Sequence, residues 1–135
     1  MTQQTAYEGR VATGSELDAC VAGAREDLVT ARILLERDRL QHALIFCHGV
    51  LEKALKAHIV RRTNGTPPAT RNLLYLLEQS GIKLDKEGVE LMVGLNHYQL
   101  SGAHSQLSPN TPCRMEVSST INRAESLMRW LLASL

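Results

Sequence analysis

The stretch LQHALIFCHGVLEKALKAHIVRR, residues 40–62, decides the fold. Ala43, Cys47, Val50, Ala54 and Ala57 recur at steps of three and four, and Leu44, Leu51, Leu55 and Ile59 widen that stripe. Such spacing puts apolar side chains around most of a helical cylinder, so this helix is predicted to be the most buried of the set. Its end is marked by TNGTPP at 63–68. Gly65 can take a positive φ past the last turn, and Pro67 and Pro68 cannot continue a helix.

Upstream, Leu17, Val21, Ala24, Leu28, Ala31 and Leu35 repeat in steps of four and three, with Arg25, Glu26, Arg32 and Glu36 on the other face. This predicts an amphipathic helix from Ser15, its expected N-cap, to about Arg37 or Asp38. Residues 1–14 are polar and small and read as a flexible leader. Downstream, Thr70 is expected to cap a short helix over 71–80, with Leu73, Leu74, Leu76 and Leu77 inward and Gly81 at its end. Asp85 is expected to cap a helix over 86–103 that buries Val89, Met92 and Leu95. Residues 104–113 read as a loop. A last helix over 114–133 carries Val117, Ile121, Ala124, Met128 and Leu131 on one stripe. The expected architecture is all-α, an up-and-down bundle of four to five helices occupying residues 15–135.

Composition agrees with this reading. Of 135 residues 44% are hydrophobic but only 4% aromatic, so the core is aliphatic. A β-sandwich or barrel would normally use more aromatic and β-branched residues. The net charge is +1, which excludes strong global attraction to nucleic acid or an anionic membrane. Cys20, Cys47 and Cys113 are odd in number and far apart, as expected of a reduced, cytoplasmic protein without a disulfide framework. No secretory signal and no membrane-spanning run is expected.

Several pieces of the chain resemble a known family. They are Ala24-Arg25-Glu26-Asp27-Leu28, Ala31-Arg32-Ile33-Leu34-Leu35 and Ala43-Leu44-Ile45-Phe46-Cys47-His48. The most distinctive is Leu51-Glu52-Lys53-Ala54-Leu55-Lys56-Ala57. The turn Pro67-Pro68-Ala69-Thr70 with Leu73-Leu74, and Leu95-Asn96-His97-Tyr98, follow in order. Together they resemble the HEPN domain, over about residues 16–133. The resemblance implies a helical bundle that forms homodimers. It also implies a minimal nucleotidyltransferase as partner in a toxin–antitoxin-like pair. Many such proteins are metal-independent endoribonucleases, marked by an Arg followed four to six residues later by a His near a late helix. There His acts as acid or base and Arg steadies the phosphate charge. Here Ala103 stands where a related branch has that Arg, and Arg71 stands where the family's turn has a His.

The candidate sites follow from these departures. Arg71, His97 and His104 are weak catalytic candidates for a rearranged ribonuclease site, and Arg37 with His42 has the spacing but not the position. The stretch from Lys53 to Arg71 carries Lys53, Lys56, Arg61, Arg62 and Arg71 and no acid. With Tyr98, these are the candidates for binding a nucleotide, RNA or an acidic partner surface. The bland alternative is that Arg61 and Arg62 complement a helix C-terminus and Lys53 and Lys56 edge a buried helix. No metal-ligand spacing and no phosphate-cradling glycine loop is present, so no cofactor is expected. The sequence therefore favours an interaction module over an enzyme.

Overall fold

The computed structural model describes residues 14–100 and 112–135, the side chains of Gln99 and Leu100 apart. Five helices and no strand make up the described residues. They are α1 (Gly14–Glu36), α2 (Leu40–Thr63), α3 (Leu73–Ser80), α4 (Lys86–Leu100) and α5 (Arg114–Ala133). Both stripes predicted for residues 40–62 are buried, so α2 is the axis of the bundle. It packs most extensively on α1 and also touches α3, α4 and α5. The α1 stripe buries Ala24, Leu28, Ala31 and Leu35, while Leu17 and Val21 near its start are half-exposed. The α5 stripe is buried as expected.

The helix ends are set by local chemistry, and three differ from expectation. The first helix already includes Gly14, so Ser15 lies inside its first turn and is not its N-cap. The α2 C-cap is Asn64 rather than Gly65: Asn64 takes the left-handed conformation at φ 54°, and its N–H bonds the Val60 carbonyl at 2.8 Å. The N-cap of α3 is Asn72, not Thr70. Asn72 Oδ1 accepts from the Leu74 and Tyr75 N–H groups, and Thr70 Oγ1 accepts from Asn72 N one step earlier. Asp85 does cap α4, its Oδ1 accepting from Gly88 N at 2.8 Å. Leu74, expected to point inward, is exposed because the short α3 buries only Leu73, Leu76 and Ser80. The α4 extension over 101–103 lies outside the described residues.

Long-range polar contacts lock the bundle. Arg114 at the start of α5 reaches the C-terminus of α1, donating to the Leu35 carbonyl and Asp38 Oδ1 at 2.6 Å each. Arg32 on α1 pairs with Glu125 on α5. At the other end, buried His58 on α2 holds the Leu131 carbonyl 2.6 Å from Nε2, which makes that nitrogen the donor.

Gly81 closes α3 at φ 75°, and the Arg62 guanidinium lies directly over its Cα. Gly81→Ala therefore forces both a left-handed L residue and a displaced Arg62. The expected loss, read by urea denaturation, is about 1–2 kcal/mol.

Candidate functional site

Three of the sequence pieces singled out above converge at one place, where α2, the α2–α3 connection and α4 meet. The segment Leu51–Ala57 contributes Glu52 and Lys56. The turn ahead of α3 contributes Arg71 and Asn72, and Leu95–Tyr98 contributes Asn96. Helical periodicity accounts for the first part: Glu52 and Lys56 are one turn apart, and Nζ donates to Oε2 at 2.9 Å. Arg71 Nε donates to the other carboxylate oxygen at 3.3 Å.

Glu52 is the hub of this cluster and is buried. Burial by itself pushes its carboxyl up. The His48, Lys56 and Arg71 contacts outweigh that and hold it at about 2, against an ordinary 4.5. Among the three, His48 makes the largest single contribution, followed by Lys56 and then Arg71. His48 Nδ1 stands 3.5 Å from Glu52 Oε1, at the outer limit of a hydrogen bond, and neither nitrogen of its fully buried ring has a closer partner among the described residues.

Asn96 holds the second half of the site. It is buried; its Oδ1 accepts from Leu73 N and its Nδ2 donates to Asn72 Oδ1, each at 2.9 Å. One side chain thus ties the first turn of α3 to α4. His97 and Tyr98 follow it, with rings edge-to-face at 5.8 Å. The Tyr98 phenol is pushed up by partial burial, helped by Glu116.

The basic stretch is largely engaged within the fold. Lys53 pairs with Asp27 on α1 at 2.6 Å. That pair lies across two glycines: the Lys53 stem covers Gly23 and the Asp27 carboxylate covers Gly49, leaving no room for a Cβ at either. Lys56 and Arg71 share Glu52. Arg61 donates to the Leu135 carbonyl at 3.0 Å, and Arg62 covers Gly81. The acids responsible, Asp27 and Glu52, both lie outside the acid-free window that marked the stretch in the sequence. Arg37 and His42 are exposed at the α1–α2 turn, on the opposite side of α2 in sequence from Arg71. His104 lies outside the described residues. The Asn72–Asn96 bond brings the Arg71 and His97 segments side by side, while the Arg71 guanidinium itself turns to Glu52.

A family model described as the HEPN domain matches residues 18–134. The chain belongs to the HEPN family. No curated protein and no solved structure matches it. HEPN membership accounts for the five-helix architecture, and it places the Glu52–Arg71 and Asn72–Asn96 contacts in the parts of the chain that carried the resemblance. No helix of the described residues is long and apolar enough to cross a membrane, and no cluster of three or more metal-ligating side chains occurs among them. Cys47 is no candidate nucleophile, because burial pushes its thiol up to about 12.

Glu52 is ionised in the folded chain down to about pH 2, but in the unfolded chain only down to about its ordinary 4.5. Between those values the unfolded chain binds a proton that the folded one does not, so stability falls as pH drops through that window. Denaturant titrations should show a shallower acid loss in Glu52→Gln than in the wild type. At neutral pH the same variant should lose about 2–3 kcal/mol, less than a fully buried pair because Arg71 is half exposed. Asn96→Ala strands the buried Leu73 N–H, and thermal melts should show a loss of about 2 kcal/mol with α3 fraying first in hydrogen exchange.

Proposed function

We propose that this chain is an interaction module, a HEPN bundle that works as a homodimer with a minimal nucleotidyltransferase partner in a toxin–antitoxin-like system, and not a nuclease. The observation that carries this reading is the commitment of the cationic candidates. Lys53, Lys56 and Arg71 each have a carboxylate partner inside the fold, so a phosphate would have to displace Asp27 or Glu52 to reach them. Glu52 itself, held at about 2, is too weak a base to take a proton from a ribose hydroxyl at neutral pH. The sequence supports the same reading, with Ala103 where a related branch carries Arg.

The competing reading is a metal-independent endoribonuclease with a rearranged site built from Arg71, His97 and His104, or from Arg37 and His42. Exposed Arg61 and Arg62 keep nucleotide or RNA contact open at the far end of α2. Incubation of single-stranded and structured RNA with the wild type and with the combined His42→Ala, His97→Ala, His104→Ala variant separates the two. The expected result is no difference between them. Cleavage by the wild type that the variant loses would overturn the non-catalytic reading. A short nucleotidyltransferase frame beside the gene is the expected genomic outcome.

A further inference from the structure

Residues 64–85 run from the α2 C-cap, through the connection and α3, to the α4 N-cap. Only Leu73, Leu76 and Ser80 are buried in this stretch, with Leu77, Ile82 and Leu84 partly packed on the core. Of the other helices, α3 touches α2 and α4 alone. It has eight residues, too few to persist by itself in water, where helices of about 12–15 residues are marginal. Between the junctions with α2 and α4, three hydrogen bonds tie the stretch to the rest of the described bundle: Arg71 Nε to Glu52 Oε1, Leu73 N to Asn96 Oδ1, and Asn96 Nδ2 to Asn72 Oδ1. Two of the three depend on one side chain, Asn96.

The Arg71 tie leads inward to the least satisfied buried side chain among the described residues. His48 is fully buried, and its Nδ1 stands 3.5 Å from Glu52 Oε1, the oxygen that Arg71 Nε also bonds. Side-chain exposure rises outward through this set, from 0% at His48 to 8% at Glu52 and 53% at Arg71. Arg71 is thus its surface member and His48 its innermost. His48, Glu52 and Lys56 follow one another at single-turn spacing, so they share one stripe of α2.

We propose that residues 64–85 are a cover that opens as one unit, swinging between Asn64 and Asp85, and admits water to His48 and Glu52. Two opposing effects set the balance. Closure buries Leu73 and Leu76 and makes the three hydrogen bonds. Opening hydrates an imidazole that the closed fold leaves with one long contact, and an unsatisfied buried group favours any state in which water reaches it. The rest of the bundle does not depend on the cover. α2 stays packed on α1 and α5, and α4 keeps Leu91, Met92 and Leu95 on the core. Closed, the fold withholds His48 and Glu52. Open, it presents an imidazole, a carboxylate and an ammonium on successive turns of one helix. The cover is a gate on acid–base groups, and it is independent of the dimer and partner of the preceding reading.

Hydrogen exchange and diethyl pyrocarbonate labelling of the full chain, both read residue by residue, test the gate. The α3 amides are expected to exchange through one shared opening, at least about tenfold more frequent than the opening of α2. His48 should be carbethoxylated through that same opening. Asn96→Ala removes two of the three ties, so it should speed α3 exchange and His48 labelling by the same factor, about tenfold or more, with α2 still the slower to exchange. Low urea applied to the wild type makes the same comparison without a substitution: α3 exchange and His48 labelling should rise in step, ahead of α2 exchange. His48 labelled only when α2 exchanges, or left unlabelled while α3 exchanges, would overturn the cover.

Discussion

The constraint that organises this molecule is the burial of α2 around nearly its whole circumference. Over its middle turns such a helix has little access to water, so several of its polar side chains take a partner from a facing element. Lys53 finds Asp27 on α1, Glu52 finds Arg71 in the turn before α3, and His58 finds a carbonyl at the end of α5. These contacts point in different directions from one helix, so they fix where its neighbours dock. Aliphatic packing supplies the bulk of the stabilisation, and it is tolerant of small slides and rotations between helices. The polar contacts are not, because a slide of one residue would leave a charge or an N–H unpaired in a dry place.

The same constraint bears on chemistry. A helix carrying two lysines, a glutamate and three histidines has the residue types of an active site. Once each is placed, most of that reactivity is quenched. Glu52 is stabilised as an anion so strongly that it is a poor base, and the lysines are held by carboxylates. His48 is the exception. It is fully buried, with only a long contact to Glu52, and leaving its ring nitrogens poorly satisfied costs on the order of 1–3 kcal/mol each. The half-exposed Arg71 guanidinium bonds the same Glu52 oxygen that faces His48.

The fold was legible because its evidence is periodic. The stripes through Ala43 and Leu44 and through Val117 and Ile121 need no partner to be recognised. The candidate site was less legible because its logic is pairwise. The five cations from Lys53 to Arg71 stand out in a window without acids, yet Glu52 lies one residue before that window and Asp27 lies on another helix. Linear charge counts cannot register a partner that arrives through folding. Asn72 and Asn96 illustrate the same gap. Each reads as an ordinary polar residue, and only their contact shows that the segment Leu95–Tyr98 serves to anchor α3. At the cap positions the competition was local: Asn72 and Thr70 are both good N-cap residues, and Asn72 prevails because Asn96 reinforces its orientation.

The low aromatic content gains meaning from where those residues lie. Phe46, Tyr75 and Trp130 are all exposed to some degree, and Tyr98 lines the α4–α5 seam. In a chain whose core is closed by Leu, Ala, Val and Ile, aromatic rings are not needed for interior volume. Leaving them outside has a solvation cost that a lone folded chain does not recover. Their placement, with Met115, along surfaces that the bundle leaves open fits association better than catalysis. The densest polar network, around Glu52, lies inside the bundle, while Tyr75, Met115 and Trp130 stand on its outer faces.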